Sequence, residues 1–429
     1  MFIPFQYNAG QILAVLPRGE VQFLRVEARP LIDAVNAGNV PPLQADFSAF
    51  LVRDPLVEMN DFHLSAPANV FLEITNRCNL RCKHCYAWSG VARANEMPTE
   101  QILRVLDDLD EMGTLGIFLT GGEVFSHRDA VQIIQHAKTK AFAVDIFTNG
   151  LLITEEKLAQ LPRGTSFAIS FDTADPERTV RGGMDFPKLR RCFEWMAKYG
   201  HVVRTAISVH RNNIHDALDI YRWCLENGYP RPQWLETHPL GRALLHPDIL
   251  LQPEQVDEVF AVYKQCMELY ATPADAQAVI GPSDRKGMLN VDTVRFTVEL
   301  ERATGQEKCA RSVAYINAAG EVYPCTNCQS AVMYRGGNLR ERSFKEIWDT
   351  GFRDFRTIHF SDFKDCNTCP VAAADVWCQF RCPPVAMNLT RNPLGCGATE
   401  YMKLFMLKAH RYWQEFQRSG KKLALNAPA

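Results

Sequence analysis

Fourteen cysteines are spread unevenly along this 429-residue chain. Three of them, Cys78, Cys82 and Cys85, share the stretch "EITNRCNLRCKHCYAW". Thiolates are soft ligands suited to zinc and to iron–sulfur clusters. Structural zinc takes four protein ligands, usually as two separated pairs, so a C-x3-C-x2-C loop leaves one corner of the tetrahedron uncovered. A four-iron cluster held by three thiolates instead keeps one iron open to another ligand. A second group comprises Cys309, Cys325, Cys328, Cys366, Cys369, Cys378, Cys382 and Cys396. Taken alone, its C-x2-C and C-x3-C pairs fit zinc knuckles equally well. Cys192, Cys224 and Cys266 stand singly in helix-like segments and read as core residues.

The elements that must position the triad follow a repeating pattern. β-Rich runs occur at Val70 to Thr75, Ile117 to Thr120, Val144 to Thr148, Ser166 to Phe171, Val202 to Val209 and Gln233 to Thr237, each followed by a segment with helical apolar spacing. Six successive βα units predict an α/β fold with parallel strands. Six are too few for the usual eight-stranded barrel, so a partly open (β/α)6 barrel is expected, with its chemistry at the C-terminal ends of the strands. The unusual polar motifs fall there. The cysteine triad follows the first run, Thr120–Gly121–Gly122–Glu123 the second and Thr148–Asn149–Gly150 the third, while Ser170–Phe171–Asp172 ends the fourth. Singly, the glycines and Asn149-Gly150 are ordinary turn punctuation; on one rim they make a candidate site.

A triad after the first strand and "GGE" after the second resemble the radical S-adenosylmethionine superfamily, over about Val70 to Tyr270. The resemblance implies that Cys78, Cys82 and Cys85 hold a [4Fe-4S] cluster whose open iron is chelated by S-adenosylmethionine. Reductive cleavage of that molecule yields methionine and a 5′-deoxyadenosyl radical, a hydrogen-atom abstractor. Gly121, Gly122 and Glu123 match the motif that receives the methionine amino group. Ser170 matches a polar position near the ribose or carboxylate, and Arg181 in "RTVRGG" is a candidate for the carboxylate. Asn149 and Asp172 join them as cofactor-binding candidates on the same rim. His84 departs from the usual Phe or Tyr before the third cysteine, yet a flat ring remains to pack on adenine.

The second cysteine group resembles the SPASM extension of that superfamily, including the "GNL...IW" segment between its halves. This implies two auxiliary iron–sulfur clusters with interleaved ligands: Cys309, Cys325 and Cys382 for the first, and Cys366, Cys369, Cys378 and Cys396 for the second. Two departures stand out. The spacer from Cys369 to Cys378 is three residues longer than usual, and Cys328 is additional. Either Cys328 completes the first cluster, or that cluster keeps an open iron. From Gly305 onward 17 Lys and Arg face 11 Asp and Glu, a surplus that would offset the charge of thiolate-ligated clusters.

The expected division is 1–65, an N-terminal cap or truncated leader-binding module; 66–300, the barrel; and 301–429, the SPASM domain. "GQILAVLPRGEVQFLRV" predicts two strands around a Pro-Arg-Gly turn, and "ARPLIDAVNAGN" a short helix stopping at Gly38-Asn39. A formal net charge of -2 gives no reason to expect nucleic acid. Neither a membrane-length apolar run nor a signal peptide is visible, so a cytoplasmic protein with reduced thiols is expected. The resemblance points to a radical oxidoreductase acting on a ribosomally made precursor peptide, forming an intramolecular crosslink, with flavodoxin or ferredoxin as reductant. Sulfatase (formylglycine) maturation, peptide epimerisation and dehydrogenation of a small molecule are the alternative reactions, and a zinc-held scaffold is the non-enzymatic one. Glu236, His238 and Arg242 in "LETHPLGRA" are the catalytic candidates. Glu236 and His238 follow the sixth strand within reach of a substrate proton, although such groups on a loop are more often surface hydrogen bonders.

Overall fold

The computed structural model describes residues 3–7, 11–15, 21–37, 39, 46–50, 63–272, 308–329, 332–376, 378 and 380–423. Strands β1 (Ile3–Tyr7), β2 (Gln11–Val15) and β3 (Val21–Arg25) form an antiparallel sheet in that order, followed by helix α1 (Arg29–Asn36). The expected pair of strands is β2 and β3. The turn predicted between them and the Gly38 helix stop lie outside the described residues. Strand β1 is additional. Its "IPFQY" carries a proline, which removes a ladder donor and confines such a strand to a sheet edge.

The next strands are β4 (Asn69–Glu73), a two-residue β5 (Arg81–Cys82), β6 (Gly116–Thr120), β7 (Ala143–Thr148), β8 (Ser166–Ser170), a two-residue β9 (Arg181–Gly182), β10 (Val202–Val209) and β11 (Gln233–Glu236). Helices α2 (Thr99–Glu111), α3 (Ala130–Lys138), α4 (Glu155–Ala159), α5 (Phe186–Lys198) and α6 (Asp216–Glu226) connect the barrel strands, and α7 (Val256–Glu268) follows the last. The parallel strands stand in the order β11-β10-β8-β7-β6-β4, the six units read from the sequence. In α2, Ile102, Val105, Leu106 and Leu109 recur at three- and four-residue intervals and are buried against the sheet, which is what fixes that segment as a surface-covering helix.

The sheet does not stop at β4. After a short β12 (Ala271–Thr272), the chain returns as β13 (Val313–Ile316), parallel to β4, and continues into antiparallel β14 (Glu321–Tyr323) and β15 (Gly337–Asn338). The cysteine-rich part therefore extends the barrel sheet to nine strands. The expected domain boundary near residue 300 lies in the undescribed 273–307. At the C-terminus, helix Glu400–Arg418 packs on α7, and β16 (Lys422–Leu423) pairs with β12. Among the described residues no helix is long and apolar enough to cross a membrane.

Strand register fixes which side chains face the lumen. Side chains alternate along a strand, and residues paired in a parallel sheet share a face. Phe71, Phe118 and Phe147 stack as one inward layer, with ring centroids 4.6 Å and 5.7 Å apart along the series. Val70, Leu72, Ile117 and Leu119 point the other way and are buried under the helices. Following the pairs across the sheet puts Glu73, Thr120, Ser170, Ser208 and Leu235 on the inward face near the strand tips. Leu235 remains 38% exposed and the three phenylalanines are half-buried, so the lumen is open.

Candidate active site

The cysteine loop is held from three sides. Antiparallel pairing of β5 with β9 sets Cys82 opposite Arg181, and the Cys78 amide donates to the Gly90 carbonyl at 3.0 Å. From the loop after β11, Arg242 donates through its backbone N–H to the Cys85 carbonyl (3.0 Å), through Nε to the Cys82 carbonyl (2.9 Å) and through a terminal nitrogen to the Ser89 carbonyl (2.8 Å). Its neighbour Gly241 has φ of 54°, and a Cβ there would lie 2.4 Å from the Tyr86 carbonyl oxygen. "PLGRA" thus packs its backbone directly on the cysteine loop, and Arg242 donates three hydrogen bonds to that loop's carbonyls.

Gly121 and Gly122 press on the segment before the triad. A Cβ on Gly122 would meet the Arg77 carbonyl oxygen at 2.3 Å, and its amide donates to the Thr75 carbonyl at 2.8 Å. Glu123 is buried and spends both oxygens on local ties: Oε1 accepts from Thr148 Oγ1 (2.6 Å) and the Phe125 amide, and Oε2 from the Asn149 amide (2.7 Å). Burial raises its carboxyl pKa against those donors. Asn149 in turn donates to Asn79 Oδ1 at 2.9 Å and approaches Cys78 Sγ at 4.0 Å. The rim motifs of β6 and β7 are thereby joined to each other and to the cysteine loop.

On the other flank, Arg181 forms a buried bidentate pair with Asp172, Nε to Oδ2 at 2.5 Å and a terminal nitrogen to Oδ1 at 3.1 Å. A third contact, 3.3 Å, reaches Ser208 Oγ, and another guanidinium nitrogen stands 4.0 Å from Cys82 Sγ. Burial works to raise the Asp172 carboxyl, but the Arg181 guanidinium outweighs it and keeps Asp172 ionised. Burial, with Arg181 nearby, depresses the His84 pKa to about 3, so the ring is neutral and flat. Ser170 faces the lumen at the tip of β8.

Glu236 and His238 are not gathered with this rim. Glu236 pairs with Val209, on the sheet face turned to the helices, and its strand partner Trp234 packs on Tyr263 of α7 with centroids 5.3 Å apart. Burial pushes the Glu236 carboxyl up to about 7, against the opposing effect of Trp234 and Tyr401. His238 lies edge-on to Phe380, 5.2 Å between centroids, and burial lowers its pKa to about 4. Sequence reasoning missed an inward carboxyl on the first strand. Glu73 is 1% exposed, Oε2 accepts from the Tyr315 hydroxyl of β13, and burial pushes it up to about 7. Its signal was a lone acid in an apolar strand, "VFLEIT".

The eight cysteines from Cys309 to Cys396 form two sets, while Cys192, Cys224 and Cys266 are buried in the core. Cys325 Sγ is 3.7 Å from Cys328 Sγ, with the Cys309 and Cys382 thiols also within its hydrogen-bonding reach. Those neighbours favour the thiolate at Cys325. Cys328 therefore belongs with the first set as its fourth thiol. Cys366, Cys369, Cys378 and Cys396 line one cavity, together with Arg381. Next to Cys309, the fully buried Arg356 donates from Nε to the Ala310 carbonyl (2.7 Å), with its guanidinium 5.0 Å from the Trp348 ring.

The chain matches the model of the radical SAM superfamily over residues 72–224 and that of the SPASM iron–sulfur cluster-binding domain over 308–370. It is 24% identical over 335 residues to PqqA peptide cyclase of Granulibacter bethesdensis, covering 76% of this chain and 85% of that protein. To the subtilosin biosynthesis protein AlbA of Bacillus subtilis it is 30% identical over 196 residues, 44% of this chain and 43% of that protein. The fold resembles Streptococcus suis SuiB bound to S-adenosylmethionine (TM-score 0.65, 14% identity) and SuiB bound to precursor peptide SuiA (TM-score 0.61, 14% identity), each over 93% of this chain and 98% of the other. A radical SAM domain takes a four-iron cluster and S-adenosylmethionine, and a SPASM domain takes further iron–sulfur clusters. The chain belongs to the radical S-adenosylmethionine superfamily, with a SPASM iron–sulfur domain following its barrel.

Proposed function

We propose that this enzyme matures a ribosomally made precursor peptide, joining two of its residues at the cost of two hydrogens. The observation that carries the reading is the pairing of two four-thiol sets beyond the barrel with an open lumen rimmed by the three-thiol loop. The donor sets fit the groups. Three thiols on one short loop, backed by glycine contacts that admit no Cβ, suit a four-iron cluster with one open iron, and each four-thiol set suits a fully ligated cluster. Cys78, Cys82 and Cys85 would hold the first; Cys309, Cys325, Cys328 and Cys382 the second; Cys366, Cys369, Cys378 and Cys396 the third. Bound at the triad, the cluster and S-adenosylmethionine supply a radical that takes a hydrogen atom from the substrate.

The chain's own residues do the positioning. Gly121 and Gly122 hold the second rim loop against Thr75 to Arg77, leaving that loop's backbone to meet the methionine amino group. Glu123 and Asn149 fasten that loop to the third strand and the triad. Arg181, fixed and kept charged by Asp172, offers its positive field to Cys82 and to a carboxylate beside it, while neutral His84 offers a flat face to adenine and Ser170 a hydroxyl at the lumen. Arg242 orients the triad through its carbonyls. PqqA cyclisation and subtilosin biosynthesis in the relatives, and a precursor peptide held by a protein of like fold, support a peptide as substrate. The N-terminal sheet β1–β3 offers edge strands on which a leader segment can add. The parts 1–65, 66–300 and 301–429 are taken as leader clamp, barrel and auxiliary domain, in a cytoplasmic enzyme supplied by flavodoxin or ferredoxin. The test is anaerobic reconstitution with a strong reductant and the short peptides encoded beside the gene. Loss of two hydrogens and no fragmentation between the joined residues is expected; a mass unchanged in ordinary water and raised by one deuterium in heavy water would establish epimerisation instead. Cys78→Ala, Cys82→Ala and Cys85→Ala together should abolish 5′-deoxyadenosine formation.

A further inference from the structure

Among the described residues, Glu73 is the inward acid at the strand tips; Asp145, inward at the other end of its strand, is ion-paired with Arg204. Glu73 stands at the tip of β4, paired with Thr120 on the same inward face. One carboxyl oxygen is engaged: the Tyr315 hydroxyl donates to Oε2. The other, Oε1, is buried with no hydrogen-bond partner, although the Ala318 backbone lies close by. Tyr315 is itself anchored. Its hydroxyl lies 3.0 Å from the Gln329 amide oxygen, while Gln329 Nε2 is buried without a partner. A phenol has one hydrogen, already given to Glu73, so the amide is oriented with Nε2–H donating to the phenol oxygen. The chain Gln329 to Tyr315 to Glu73 then runs from the loop bearing Cys325 and Cys328 to the barrel rim. Tyr86, 38% exposed as a residue, buries its hydroxyl beside Thr120 and Glu73.

We propose that Glu73 is the proton-accepting group of the lumen, reached through the hydroxyls of Thr120 and Tyr86 and positioned by Tyr315. The inference rests on the peptide-maturase reading: of the two hydrogens lost in joining two residues, one leaves as an atom to the radical and the other as a proton, with its electron going to a one-electron acceptor of the iron–sulfur class. In the step itself a substrate X–H bond breaks heterolytically. The electron pair stays on X, the proton passes from Tyr86 to Thr120, each giving one as it receives one, and Glu73 Oε1, which neither hydroxyl bonds in this structure, takes it when the Thr120 hydroxyl turns to it. A buried carboxyl with one oxygen held and the other open is built for this: the held oxygen fixes the rotamer and the open one accepts. The groups facing it are Tyr315, Tyr86, Arg93 and Glu96. Burial raises its pKa and the Tyr315 donor works in the opposite direction, so the carboxylate form fills as pH rises through about 7.

The test uses the reconstituted holoenzyme. Infrared titration between pH 5 and 9, carried out in a Glu236→Gln background to remove the other carboxyl raised to about 7, should show a buried protonated-carboxyl band disappearing with a midpoint near 7, absent when Glu73→Gln is added and shifted to higher pH by Tyr315→Phe, which loses the donor that favours the carboxylate. With a short peptide encoded beside the gene, Glu73→Gln should form 5′-deoxyadenosine within about twofold of wild type, yet yield about a hundredfold less modified peptide, the size of a lost general base. The wild-type yield should rise with pH through about 7, and that rise should move upward in Tyr315→Phe. A structural role alone would leave the pH profile in place. A Glu73→Gln enzyme with unchanged yield and profile overturns the proposal, as does the lack of any carboxyl band lost in that variant. If wild type leaves every such peptide unmodified while the band titrates as described, the peptide reading falls and the proton site stands.

Discussion

Arg242→Met removes a guanidinium and keeps a similar apolar stem. In the structure that guanidinium donates to two backbone carbonyls of the triad loop, those of Cys82 and Ser89, while the Arg242 amide bond to Cys85 survives the substitution. Hydrogen bonds to a charged group contribute about 1.5–3 kcal/mol each, and since the side chain is half-buried the lower figure applies, about 3 kcal/mol for the pair. If that loss falls on local opening of residues 78–90, their amides should exchange faster by about a hundredfold, since about 1.4 kcal/mol is a factor of ten. Hydrogen exchange read by mass spectrometry on reconstituted protein resolves this loop from the auxiliary domain. Iron at the triad should fall alongside, with the auxiliary clusters retained. Arg242→Lys should recover little, because a lysine offers no fork to span two carbonyls. A variant with unaltered exchange over 78–90 and full triad iron, but no activity, would refute the reasoning and return Arg242 to a role on the substrate.

Cys328→Ala should change the electron paramagnetic resonance of the first auxiliary cluster while the triad signal stays as in wild type; an unchanged auxiliary spectrum would show that Cys328 is not a ligand. Glu236→Gln should leave peptide modification within about twofold, because the carboxyl faces the helices. It should also flatten the pH dependence of stability. The folded carboxyl is raised from 4.5 to about 7, so wild type loses its contribution as pH climbs from about 5 to 7, where the unfolded chain ionises first. Thermal midpoints compared at pH 5 and pH 8 should differ less in the variant than in wild type.

The six parallel strands were legible because each is a β-rich run followed by a helical period, and the rim motifs because glycine and cysteine spacing survives without knowledge of pairing. What a lone sequence withheld was register. "QWLE" is four residues long, too short for its alternation to reveal that Glu236 turns outward. That orientation follows only from the Val209 pairing, which itself depends on the rest of the sheet. Glu73 was hidden for a related reason: its partner Tyr315 lies 242 residues further on, in a strand whose place beside β4 no local pattern announces. Conversely, Cys328 was visible as an extra cysteine one turn from Cys325, and only the fold could bring Cys309 and Cys382 to the same place.

The nine-stranded sheet carries a consequence for any attempt to shorten the protein. Parallel β13 occupies the hydrogen-bonding edge of β4 from Asn69 to Leu72. A chain cut before Lys308 would leave that edge as a row of unsatisfied amides and carbonyls, flanked by the buried apolar Val70 and Leu72, which is a template for intermolecular pairing. The isolated barrel should therefore precipitate or self-associate even though it contains the triad loop and all six βα units. A soluble minimal version would need charged or proline substitutions along β4, at positions where the intact protein tolerates neither.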